Sequence, residues 1–177
     1  MKLKYITGRG GDGISGLSAH LASLSDDYSV LALDQYFLRK TFLEQVAEVQ
    51  SFHAAFAGYL VANSYGAYLL LHSMIDQPAS ASKVMLLSPV LGRVNCEKRM
   101  LISRPPGEKA FKKAISESRL GIPRGMQILS GALDEICDAD LAKKMGDQLG
   151  IKVDILVGEG HMISKEKIAD ALKKFIG

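Results

Sequence analysis

The chain has 177 residues, 47% of them hydrophobic and 23% charged, with a formal net charge of +3. That is one domain's worth of protein with enough apolar content for a core, which excludes intrinsic disorder and any need for a disulfide or metal staple. No apolar run reaches the roughly 18 residues a membrane-spanning helix needs, and the start, Met1–Gly8, has no secretory apolar region, so a cytoplasmic location is expected.

Apolar runs of strand length alternate with stretches of helical period, the pattern of a parallel sheet covered by helices. Strands are expected at 4–7, 29–34, 59–63, 83–88, 126–130 and 152–157, the second apolar enough for burial on both faces. Helices are expected at 14–24, 43–52, 65–75, 138–149 and 164–176. The third is apolar almost all round and so buried, and the last carries one stripe of Ile168, Leu172 and Phe175. The fold class is therefore α/β, a three-layer α/β/α sandwich on a mainly parallel six-stranded sheet, with one domain over 1–177.

Residues 91–125 break the rhythm with Gly92, Pro105-Pro106-Gly107 and Gly121-Ile122-Pro123, around a basic amphipathic stretch at 109–119. The segment holds nine cations (Arg93, Lys98, Arg99, Arg104, Lys109, Lys112, Lys113, Arg119, Arg124) against Glu97, Glu108 and Glu117, a local excess of six positive charges. It reads as a lid-like insertion or as a solvated basic surface, and a positive surface steers anions toward it.

Three loops carry candidate chemistry. Ala62-Asn63-Ser64-Tyr65-Gly66 lies between a strand and a helix. On so sharp a turn the serine hydroxyl is pushed out of the sheet, and the residues two before and two after it must be small. Gly131-Ala132-Leu133-Asp134 follows the fifth strand directly, on the edge where parallel sheets build their sites. Glu135, Asp138 and Asp140 compete with Asp134 there, although Asp138 or Asp140 is equally suited to capping the next helix. Gly158-Glu159-Gly160-His161 follows the sixth strand, whereas His20, His53 and His72 fall within helices or at a helix end. Serine, aspartate and histidine, each after a separate strand and in that order, suit a nucleophile, an orienting acid and a general base.

On these motifs the chain resembles the α/β-hydrolases, and among them the compact serine hydrolases of the retinoblastoma-binding-protein type. Those carry a P-G-N-G-G-G-D-like loop where this sequence has Thr7-Gly8-Arg9-Gly10-Gly11-Asp12-Gly13. The resemblance runs from the first strand to the last helix and implies a minimal hydrolase fold without the two N-terminal strands. It further implies Ser64 as nucleophile, His161 as base and Asp134 as orienting acid. The oxyanion hole would be formed by the N–H groups of Tyr65 and Arg9, with Gly10 as the alternative to Arg9. The implied substrate is a small ester or thioester, and the basic segment with Arg9 extends this to an anionic one.

Other classes make different demands. Gly8-x-Gly10-x-x-Gly13 followed by Asp34 matches a dinucleotide-binding fingerprint, and Tyr36-x-x-x-Lys40 mimics a dehydrogenase pair, but that reading leaves Ser64, Asp134 and His161 without a role. A hydrolase-fold protein that binds without catalysis is a third reading. No cofactor, metal or nucleic-acid partner is expected, since Cys96 and Cys137 form no ligand pattern and no aromatic platform accompanies the basic segment. Oligomeric state is not legible.

Overall fold

The structure is a computed structural model describing residues 1–92, 94–96 and 101–176. Strands β1 (Lys2–Ile6), β2 (Asp27–Leu31), β3 (Tyr59–Asn63), β4 (Lys83–Leu87), β7 (Gln127–Gly131) and β8 (Lys152–Leu156) pair in parallel in the order β2-β1-β3-β4-β7-β8. Between β4 and β7, β5 (Val94–Cys96) and β6 (Leu101–Ser103) form an antiparallel pair. The helices are α1 (Gly16–Ser23), α2 (Phe42–His53), α3 (Tyr65–Ser73), α4 (Glu108–Ser116), α5 (Ala139–Leu149) and α6 (Lys165–Ile176).

The central strands are apolar on both faces because helices cover both. Leu60, Ala62, Val84, Leu86 and Ile128 point into a core shared with α3, Val49 of α2, Phe111 of α4 and Met145 of α5. Their alternates Val61, Met85, Leu87 and Leu129 point into a second core with Leu21 of α1 and Ile168 and Leu172 of α6. Helix α3 is buried at every position, as its composition demands.

Strand β2 differs from the expectation. It ends at Leu31 rather than at residue 34, lies at the sheet's edge, and is only half-buried. The chain turns inward after β2 because Leu33 N–H donates to Thr7 Oγ1 at 2.8 Å, which drives the Leu33 side chain into the core. Of the basic segment, Arg93, Glu97, Lys98 and Arg99 lie outside the described residues. Its basic amphipathic stretch forms α4, whereas the β5–β6 pair was not foreseen, since strands of three residues are too short for a period-2 signal.

Helix α4 is seated on α3 by rings. Phe111 stacks on His72 at 5.0 Å between centroids and meets Tyr68 edge-on at 5.6 Å, while Phe42 meets His72 edge-on at 4.9 Å. The Tyr68 hydroxyl donates to the Pro106 carbonyl at 2.7 Å. Burial among these rings pushes the His72 imidazolium down to about 4, and its Nε2 has no partner among the described residues. The folded state therefore holds His72 neutral while the unfolded chain protonates it near its ordinary value. The stability this contributes is complete above that value and is lost as pH falls from about 6.5 toward 4. A melting series from pH 7 to pH 4 should show a decline in Tm that His72→Phe makes shallower; an unchanged slope in the variant would assign the decline to other groups.

Candidate active site

Ser64 is the single residue between β3 and α3, at φ 52° and ψ −115°, a conformation that costs a side-chain-bearing residue of order 1–3 kcal/mol. The neighbours fit the small-residue rule. Ala62 is fully buried, and a Cβ on Gly66 would stand 2.2 Å from the Thr7 carbonyl oxygen and 2.8 Å from Ile6 Cγ2. Backbone cannot give way as a flexible side chain can, so Gly66→Ala should cost about 3 kcal/mol or more. Chemical denaturation checks this, and a loss below 1 kcal/mol would show that α3 can pull back from β1.

Asp134 and His161 are brought together by loops that cross at the ends of β7 and β8. Gly131 makes the crossing feasible: a Cβ there would lie 2.3 Å from the Gly160 carbonyl oxygen and 2.4 Å from that of Glu159. Leu133 N–H donates to the Glu159 carbonyl at 2.8 Å, and the Glu159 carboxylate accepts from both the N–H and the hydroxyl of Ser164, tying down the far side of the histidine loop. His161 Nδ1 lies 3.1 Å from each Asp134 carboxylate oxygen, and its Nε2 lies 3.0 Å from Ser64 Oγ.

The Asp134 side chain is fully enclosed. Burial alone would raise its carboxyl, but the His161 ring and the N–H groups of Cys137 and Ile136 outweigh it and hold the group below the ordinary carboxylate range. As a carboxylate it offers only lone pairs, so Nδ1 carries the proton and donates. Nε2 is then the acceptor and Ser64 the donor, the polarity that proton transfer out of the hydroxyl requires. Among the competing acids, Asp138 caps α5, accepting from Asp140 N–H and Leu141 N–H. Asp134, Cys137 and His161 also lie close enough to share an ion, but burial raises the Cys137 thiol, which donates to the Ser88 carbonyl, so a thiolate ligand is disfavoured.

A cleft of about 720 Å³ opens over Ser64 between the loop after β1 and the stretch Arg104-Pro105-Pro106. It sits where the chain runs from β1 to β2 on one side and later to β3 on the other, the point at which open parallel sheets form crevices. Gly10 N–H donates to the Leu33 carbonyl at 2.8 Å, whereas Arg9 N–H has no acceptor among the described residues. Tyr65 N–H stands at the first position of α3, where a helix leaves its donors unsatisfied. The dinucleotide reading also loses its acid, because Asp34 Oδ1 accepts from Tyr36 N–H and Phe37 N–H to cap a turn. Arg104 and Asn63 also line the cleft, and the sequence assigned neither of them a place in the site.

A parallel sheet sandwiched by helices, with a serine on a strained strand–helix turn in contact with a histidine, defines an α/β-hydrolase. The chain belongs to the serine hydrolase family, whose model matches residues 31–170, and it is a hydrolase. No curated protein matches it by sequence. Among solved structures it is similar to the ydeN gene product of Bacillus subtilis (16% identity, TM-score 0.68, 99% of each chain covered). It is also similar to a thioesterase domain from the curacin biosynthetic pathway (12% identity, TM-score 0.69, 99% of this chain and 91% of that one). A third is a monoacylglycerol lipase of Paleococcus ferrophilus (13%, TM-score 0.67, 98% and 93%). At these identities the likeness is one of fold.

Proposed function

We propose that this hydrolase cleaves a small carboxylic ester or thioester through an acyl-enzyme on Ser64. The observation that carries the reading is the relay of contacts from Ser64 Oγ to His161 Nε2 at 3.0 Å and from His161 Nδ1 to Asp134 at 3.1 Å. In this reading His161 takes the Ser64 proton as Oγ attacks the carbonyl carbon, and Asp134 stabilises the imidazolium that forms. The oxyanion is received by the N–H groups of Tyr65 and Arg9, each such donor being worth about 3 to 4 kcal/mol in the transition state. The imidazolium returns its proton to the leaving alcohol or thiol. Water, activated by the same histidine, then attacks the acyl-enzyme and restores the serine. Residues 91–125 act as a lid-like insertion within a single domain, with Arg104-Pro105-Pro106 forming the cleft's wall opposite the glycine loop.

A fluorophosphonate probe tests the nucleophile directly. Intact mass spectrometry should show one adduct per chain, and peptide mapping should place it on Ser64; an unlabelled protein, or a label elsewhere, would favour a fold that binds without catalysis. A panel of activated esters and acyl-thioesters then ranks the substrate class.

A further inference from the structure

The hydrolase reading leaves one feature of the cleft unused, namely its charge. Among the described residues, Arg9, Asp12, Arg104 and His161 line it. Asp12 is engaged by its own loop, accepting from Ile14 N–H, Ser15 N–H and the Ser15 hydroxyl, contacts that hold its carboxyl low. The two guanidinium groups have no such commitment. Neither Arg9 nor Arg104 forms an ion pair among the described residues, and the acid closest in influence to Arg104, Glu108, is bonded to Lys112 at 2.6 Å.

Both side chains are exposed, but Arg9 has a ring beside it and Arg104 stands on a fixed stretch of backbone. The Arg9 guanidinium lies 5.7 Å from the ring centre of Tyr65, the residue immediately after Ser64. Arg104 precedes two prolines, and the second of these is fastened to α3 by the Tyr68 hydroxyl. The following Gly107 is packed so tightly that a Cβ would meet Phe42 at 2.7 Å and His72 at 2.9 Å. Leu17, Val90 and Met162 add apolar surface to the same cleft. Two guanidinium groups without an ion pair, lining one cleft with apolar side chains and the serine, suit a short carbon chain ending in a carboxylate, since arginine's fork matches carboxylate oxygens.

Resting on the hydrolase reading, we infer that the cleft selects an ester or thioester whose acyl chain or alcohol bears a carboxylate, held by Arg9 and Arg104. The specificity is a difference between two substrates, so the test is a ratio. In the acyl arm, kcat/KM for the 4-nitrophenyl monoester of glutarate is divided by that for 4-nitrophenyl valerate. In the alcohol arm, the butyrate ester of 4-hydroxybenzoate is compared with that of 4-hydroxybenzamide. In at least one arm the wild type should favour the anion about tenfold or more at low salt, the effect of one charge-assisted contact. That preference should shrink as salt rises and collapse toward one in Arg9→Gln/Arg104→Gln. A ratio near one in both arms, or a preference that the double substitution leaves intact, overturns the inference.

A binding arm separates this outcome from failure of the hydrolase reading. Calorimetry with Ser64→Ala protein should give tighter binding for monomethyl glutarate than for methyl valerate, and the arginine substitutions should erase the difference. If Ser64→Ala still turns over the esters, the assignment of the nucleophile falls while the binding comparison continues to judge the arginines. Equal binding of the two ligands overturns the carboxylate inference however the esters behave.

Discussion

Ser64→Ala should lower kcat for an activated ester by roughly 10⁴- to 10⁶-fold while leaving the protein folded. The size follows from the step removed. On the proposed mechanism no acyl-enzyme forms without the hydroxyl, and what persists is the slower attack of water on a substrate still held by the oxyanion donors and the cleft. The folded state should barely respond. Alanine carries the same Cβ as serine into the strained φ of 52°, and Ser64 Oγ has His161 Nε2 as its side-chain partner among the described residues. Circular dichroism and Tm close to wild type, together with loss of fluorophosphonate labelling, are therefore expected. Near-wild-type turnover in the folded variant would remove Ser64 from the reaction.

Asp134→Asn should lower kcat by about 10⁴-fold through the proton's position on His161 rather than through lost packing. Asp134 Oδ1 accepts from Ile136 N–H and Cys137 N–H at 2.9 and 2.8 Å, so an asparagine there must keep its carbonyl oxygen on that side. Its amide nitrogen then takes the place of Oδ2, 3.1 Å from His161 Nδ1, and presents a donor to the ring. Oδ1, also 3.1 Å from Nδ1, is already shared with two backbone N–H groups, so the amide donor favours the tautomer in which Nδ1 accepts, the ring proton sits on Nε2, and Ser64 faces a donor that cannot take its proton. Asp138→Asn is the matched control. Asn caps a helix about as well as Asp, so α5 keeps its cap and activity should stay within a factor of about two. Equal losses at the two positions would mean that negative charge in the region, and not the tautomer of His161, governs the rate.

Much of the scaffold is legible along the chain, for identifiable reasons. The β3 and β4 segments are apolar at successive positions because both faces of a central strand meet helices, and the signal survives without knowledge of the neighbours. The β2 segment carries a similar signal yet lies at the edge, since its apolarity continues into a turn that delivers Leu33 to the core beyond the strand's end. A Thr41-x-x-Glu44 capping box stands in the sequence and starts α2 one residue before the place expected from periodicity alone. The β5–β6 pair left no readable trace.

The site divides along the same line. Local sequence by itself determined where Ser64, Asp134 and His161 stand, each just past a strand, because loops at strand ends obey short-range rules of size, backbone conformation and hydrogen bonding. It put Asp134 first because that residue comes first after its strand, and Arg9 before Gly10 by resemblance, but the partners of these groups are remote in the chain: the Leu33 carbonyl for Gly10, the His161 ring for Asp134. Local sequence could not bring Arg104 to the cleft that Arg9 lines. Strand order decided that, because only the arrangement β2-β1-β3-β4-β7-β8 fixes which loops become neighbours at the sheet's carboxyl end, and contacts between distant segments are set by packing rather than by local preference.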